Sequence, residues 1–392
     1  MVASPPDYDY SALGRRAILE LLERELAAPS LEIEARIADE PWPTLPVVVE
    51  PLPLHDALAD LRAAGRIVVH PPEPTRGGRP VTLITAVTDA RNTTAVETAA
   101  ARKRLLTARY LGWAQGTPTR EAVIGPAAER VVHASLTKAA PAVGYRLENP
   151  RAGTAATFLG MTVPIGPLDN AALLPTVESG LPGPTVAVPI EVKNLRDWLY
   201  PNNAEVYQLL TKAAKLQQAR PGVPIMPLLI ARRIHITTFR MFKDLGAYGI
   251  QTKRQYIGAV DGGDERIQEV RTGLGFFDLI HLTEGGDLTA ERPTAADDDP
   301  TAADDLTEQL TADELIAGRR TPADDLITRR LTRVIPRDAA RVSEDWAITA
   351  SDTQVVGLFA EMRAQSRIVQ RSQLLHQLRE RIDTMGRYTG GW

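Results

Sequence analysis

The sequence predicts an α/β protein built in several modules, with a central mixed sheet flanked by helices. Three observations predict it. The first 90 or so residues alternate helical spacing with one two-stranded segment, the middle alternates apolar strands with an amphipathic helix, and the last part is acidic and then strongly helical. At 392 residues the chain exceeds one ordinary core. Its 44% apolar and 24% charged residues are those of a folded globular protein.

The first module opens with a helix over Ser11–Leu26 and a short one over Ser30–Ile37, which Ser30 is expected to cap. Pro41, Pro43 and Pro46 force a loop, and a third helix over Pro53–Ala64 is stopped by Gly65. Arg66–His70 and Val81–Val87 then form a hairpin whose tip carries Arg76 and Arg79. Three helices and a two-stranded wing, with "DALADLRAAGRIVVH…GGRPVTLI", resemble a winged helix over roughly residues 8–88, within a first domain of residues 1–92. The resemblance implies DNA binding, with Arg62 on the third helix and Arg76 and Arg79 on the wing facing phosphate. Asp56 and Asp60 on that same helix are poor partners for phosphate. Residues 93–121 read as a connecting helix with Arg102, Lys103, Arg104 and Arg109 on one basic face.

The chemistry concentrates between Pro167 and Leu216. An apolar strand over Asn170–Val177, a Gly/Pro turn over Glu178–Pro184 and a second strand over Thr185–Val192 form a hairpin. Asp169 precedes the first strand, while Glu191 and Lys193 close the second on one face, so antiparallel pairing brings the three together. Charges at the rim of an apolar sheet are costly unless something charged lies between them, and a divalent cation satisfies that condition.

These residues resemble the PD-(D/E)xK, or restriction-endonuclease-like, nuclease superfamily, whose core runs helix, strand, strand, strand, helix, strand. Ile124–Ala140 resembles the opening helix, Val143–Leu147 the first strand and Asp169 the start of the next. "EVKN" at Glu191–Asn194 resembles the signature, Asn202–Arg220 the following helix and Val223–Ile230 the last strand. The resemblance implies a restriction-endonuclease-like domain over residues 122–283, with Mg²⁺ or Mn²⁺ held by Asp169 and Glu191 and Lys193 as the third catalytic residue. It further implies Glu129 and Gln208 as auxiliary residues. Leu168 separates Pro167 from Asp169, a departure from the family pattern, and Glu178 stands as the alternative first metal ligand. Arg232, Arg233 and His235 after the last strand are candidates for phosphate contact, although His133 and His235 read first as ordinary surface or core-edge histidines.

Residues 284–330 repeat "TAADD" and read as an acidic low-complexity linker. Residues 331–392 are helical, with Val355, Leu358, Phe359, Met362, Ile368, Leu374, Leu375, Leu378 and Ile382 near heptad spacing. That seam covers either the protein's own body or a partner, including a second copy. Zero cysteines exclude disulfides, thiolate metal sites and a cysteine nucleophile, and the sequence carries no phosphate-binding Gly-rich loop or HExxH pair. A net charge of −4 confines nucleic-acid affinity to local patches. The absence of a long apolar run or signal-like N-terminus leads us to expect a cytoplasmic protein without a membrane partner. The expected function is metal-dependent cleavage of DNA, of restriction, phage-defence or repair type. The alternatives are a DNA-binding regulator or assembly subunit on a non-catalytic nuclease-like fold, and a structural adaptor.

Overall fold

Asp9 sets the first helix, its carboxylate accepting the Ala12 N–H at 2.9 Å, in a computed structural model that describes residues 8–74, 80–87, 93–151, 153–178, 181–282 and 327–364. The protein is mixed α/β, and the chain divides into two compact units: residues 1–124 with 257–281, and residues 125–256 with 282–392.

In the first unit, α1 (Tyr10–Glu25), β1 (Ala27–Pro29), α2 (Ser30–Ile37) and α3 (Pro51–Ala63) precede β2 (Ile67–Pro74) and β3 (Pro80–Ala86). Gly14 lets α1 and α3 touch, since a Cβ there would lie 3.1 Å from that of Ala57. The three strands form an antiparallel sheet in the order β1-β3-β2. The sequence reading lacks β1, because three residues between two helices carry no measurable alternation. Ser30 is also not the cap expected of it. It lies inside α2, and Pro29 holds the extended position before the helix.

The helix expected to connect the domains, α4 (Thr93–Gln115), belongs to this unit and packs on β1 and β3. So does α8 (Gly263–Leu274), placed by sequence in the nuclease-like segment. Its Ile267, Val270 and Leu274 enter one core with Leu106, Tyr110 and Ile124. A chain returning to complete an earlier core leaves no compositional boundary, which is why the expected limit at residue 283 differs. The basic face expected on α4 is also divided. Lys103 is buried, its ammonium bonding Glu32 at 2.5 Å, Glu25 at 2.9 Å and the Gly273 carbonyl at 2.7 Å. Arg36 adds a 2.8 Å bond to Glu32, whose carboxyl burial pushes above the usual range against the pull of Lys103 and Arg36.

The second unit opens with α5 (Ile124–Val143), β4 (Arg146–Leu147) and a small hairpin of β5 (Thr157–Phe158) and β6 (Met161–Thr162). The long strands β7 (Asn170–Glu178) and β8 (Leu181–Lys193) follow, then α6 (Ala204–Ala219), β9 (Leu228–Ala231), α7 (Ile236–Leu245) and β10 (Tyr248–Gln251). Their sheet runs β10-β9-β8-β7-β4. β7 is antiparallel to β4 and β8, whereas β9 is parallel to β8 and β10, because α6 and α7 supply the crossovers that parallel pairing requires. Strand β8 is central and buried without interruption from Val186 to Val192.

The chain's last described helices, α9 (Ile335–Ser351) and α10 (Val355–Ala364), cover α6. Val355, Leu358, Phe359 and Met362 of the heptad-like seam enter the core of this unit beside Trp346 and Tyr207. For these residues the body of the protein is the partner. Ile368, Leu374, Leu375, Leu378 and Ile382, and most of the acidic linker, lie outside the described residues. Gly246 ends α7 at φ +73°, and a Cβ there would collide with the Trp346 backbone, so the approach of α9 requires glycine. No described helix is long and apolar enough to cross a membrane.

Replacing Lys103 with Met leaves Glu32 buried with only Arg36 beside it. We expect a loss of about 3–5 kcal/mol in urea unfolding, far beyond an ordinary surface Lys. A loss below about 1 kcal/mol would mean that solvent reaches Glu32.

Candidate functional site

Hairpin register builds the site. Asn170 pairs with Ile190, so Asp169, one residue before β7, falls beside the end of β8. There the ladder has ended, and the Asp169 carboxylate accepts the free Val192 N–H at 2.7 Å in place of a strand partner. Glu191 and Lys193 alternate onto one face, and the Lys193 ammonium donates to Glu191 Oε2 at 2.9 Å while lying 3.6 Å from Asp169 Oδ2. The three residues expected to converge therefore do so around a single ammonium.

A fourth charge was missed by sequence. Lys212 on α6 is 1% exposed and donates to the other oxygen of Glu191, Oε1, and to the Pro167 carbonyl at 2.5 Å. Glu191 is itself 1% exposed, so both its oxygens are held by ammonium groups in a dry setting. A signal existed: Lys212 lies on the apolar face of α6, between Leu209 and Leu216 at i−3 and i+4. A lysine at such a position needs a buried acid, and Glu191 is available. Gln208, one turn earlier, is half-buried, and among the described residues it is Lys212 that bonds Glu191.

Burial and then the charge of Glu191 push the Asp169 carboxyl up to about 6, although Lys193 and the Val192 N–H pull it down. Glu129, half-buried on α5, adds to the rise, which places the expected auxiliary acid within electrostatic reach. For Lys193, desolvation lowers the ammonium's pKa, but Asp169 and Glu191 together hold it above its ordinary value. Its charge is secure at neutral pH.

Glu178, the alternative first ligand, pairs with Leu181 at the hairpin's far end. Nine residue steps along the strand, about 30 Å, separate it from Asp169, so strand geometry removes it from the site. Asn194, last in the signature, is structural: its side chain donates to the Tyr256 carbonyl at 2.7 Å and accepts the Tyr256 N–H at 3.1 Å. Arg232 is buried, its guanidinium spent on the carbonyls of Leu195 and Arg196 just beyond the signature. That position stabilises the loop and does not offer the group to phosphate. Arg233 is half-buried, with its guanidinium 5.7 Å from the Trp198 ring centre. His235, also a candidate for phosphate, is instead buried, bonded to Thr237 and stacked on Tyr200 at 4.5 Å, and His133 bonds Asn170 and the Pro150 carbonyl.

In the first unit, Arg62 is exposed on the last turn of α3. Asp56 and Asp60 are exposed on the same helix, with Asp60 bonded by Arg15 at 2.6 Å. Arg76 and Arg79 lie outside the described residues.

No protein-family model, curated protein or solved structure matches this chain.

The donor set fits a hard divalent cation in part. Among the described residues no cluster of three or more acid or imidazole side chains surrounds a common point. Asp169 and Glu191 nevertheless flank one shared position, which a cationic group, the Lys193 ammonium, already occupies. Two carboxylates at a partly exposed rim suit an ion that keeps several waters.

Ionising Asp169 costs the folded chain stability, and the sign follows from its raised pKa. Below pH 3.8 the group is protonated both folded and unfolded; between 3.8 and about 6 the unfolded chain ionises first and stability falls. Asp169→Asn should therefore stabilise the metal-free protein by about 2 kcal/mol above pH ~6 and by little below pH ~4. Thermal melts of both forms across that range check this, and a destabilised variant at neutral pH would contradict it.

Proposed function

We propose that this protein hydrolyses phosphodiester bonds in DNA, and that its second unit is a restriction-endonuclease-like core with Asp169, Glu191 and Lys193 as catalytic residues. The observation that carries this reading is the Lys193 ammonium between two carboxylates at the end of a buried central strand. The order of elements supports it: α5, then antiparallel β4, β7 and β8, then the crossover α6 and parallel β9. The winged-helix reading of the first unit, with DNA as its partner, is part of the same proposal. Its support is the helix order together with the β1-β3-β2 sheet.

Asp169 and Glu191 are the residues that would hold Mg²⁺ or Mn²⁺, which when bound supplies positive charge to the scissile phosphate and acidity to a water. Lys193, with 15% of its side chain exposed, faces the open side of the site. Its ammonium stabilises the extra negative charge of the pentavalent phosphate. Val192 orients Asp169 through its N–H, and Lys212 holds Glu191 from behind. Glu129 contributes negative charge from α5.

A second reading is favoured by one feature: both oxygens of Glu191 are already bonded by lysines, as in a charge-balanced structural cluster. That arrangement suits a DNA-binding or assembly subunit without cleavage.

Plasmid nicking in Mg²⁺ or Mn²⁺ separates the two. Lys193→Ala should retain DNA and metal binding but lose about a hundredfold or more in rate. Glu191→Ala should lose metal affinity as well. Wild-type protein that nicks no plasmid, or a Lys193→Ala form that cuts at full rate, would transfer the signature to the non-catalytic reading.

A further inference from the structure

The charges in the site do not favour a divalent cation in the free protein. Asp169 and Glu191 contribute two negative charges, and the ammonium groups of Lys193 and Lys212 cancel them. Glu129, near enough to act on Asp169, leaves the cluster with a single uncompensated negative charge. A doubly charged ion would enter against two ammonium groups.

The two lysines differ in how easily that repulsion is relieved. Lys193 sits at the end of β8 with 15% of its side chain exposed, so it can turn outward to a phosphate. Lys212 is 1% exposed and tied to the Pro167 carbonyl, with Leu209 and Leu216 on either side along α6. At 1% exposure it cannot turn out to solvent. A cation on Glu191 Oε2 therefore faces the Lys212 charge across one carboxylate, in surroundings that screen poorly.

We propose that Lys212 makes cation loading conditional on substrate: its fixed charge weakens divalent binding to the free protein, and the phosphates of bound DNA supply the missing negative charge. This rests on the metal-dependent nuclease reading above. In this view Lys212 is a positioning residue that also sets the order of binding, and it does not touch the reacting atoms. Lys193 is released from Glu191 when the phosphate arrives, and Lys212 keeps the carboxylate aimed.

Calorimetric titration of Mn²⁺ into the full chain, with and without a short DNA duplex, tests this. Wild type should bind Mn²⁺ weakly alone and about tenfold or more tightly with DNA. Lys212→Met should bind Mn²⁺ about tenfold or more tightly than wild type without DNA, and gain less when DNA is added. Lys212→Gln, which keeps a neutral donor near Pro167, should behave likewise and serves if the Met form does not fold by far-UV circular dichroism. A merely structural lysine gives the opposite sign, since its loss loosens Glu191 and lowers affinity. Folded Lys212 variants that bind Mn²⁺ no more tightly than a wild type that does bind it overturn this inference alone. A wild type with no Mn²⁺ affinity, with or without DNA, overturns the metal reading and the inference with it.

Discussion

The carboxylate of Glu191 is the constraint on which the second unit turns. It lies near the end of a strand buried on both sides, and a buried charge is costly unless it is paired and hydrogen-bonded. Lys193 provides one partner from the same strand face, and Lys212 provides the other from the crossover helix. The Lys212 ammonium also holds the carbonyl of Pro167, two residues before Asp169. One buried ion cluster thus links β8, α6 and the approach to β7, and fixes where Asp169 can stand.

The same cluster accounts for the chemistry available. An acid that merely neutralised a lysine would need one partner and could sit at the surface. Here two acids and two bases are held together at a cost in desolvation that packing alone would not select, since apolar side chains of equal volume are often as stable. Raised protonation of Asp169 is the measurable trace of that cost. Sites with such perturbed groups are enriched in function, and the phosphodiesterase proposal takes its chemistry from this arrangement. The first unit carries a comparable ionic knot at Lys103, Glu32, Glu25 and Arg36, where each acid has a basic partner and the groups are turned inward. Its chemistry is structural: Lys103 ties α1, through Glu25, to α2 and α8, which share a core with α4.

Much of the local structure was legible because it rests on short-range patterning. Gly65 after α3 and the apolar run ending in Glu191 and Lys193 are each read from neighbours in the chain, whereas Glu178 and Leu181–Pro184, expected as turn, pair within β7 and β8, because Gly and Pro mark a turn by composition and cross-strand pairing overrides them. The convergence of Asp169 with Glu191 and Lys193 was readable too, because hairpin register is a local property. Glu178 was a reasonable rival until the register placed it at the opposite end of β7. Arg232 looked available for phosphate because a sequence shows charge but not burial, and the loop carbonyls of Leu195 and Arg196 claim it.

The sequence by itself determined the longer periodic elements, among them α1, α3, α5, α6 and the β7–β8 hairpin, and the acid–acid–lysine set at its open end, since each depends on alternation within a few residues. Only the tertiary structure decided that Lys212 completes the site, that α8 returns to the first unit and that α10 covers α6. These contacts join residues far apart in the chain, and which faces meet is settled by packing against surfaces that no local periodicity encodes.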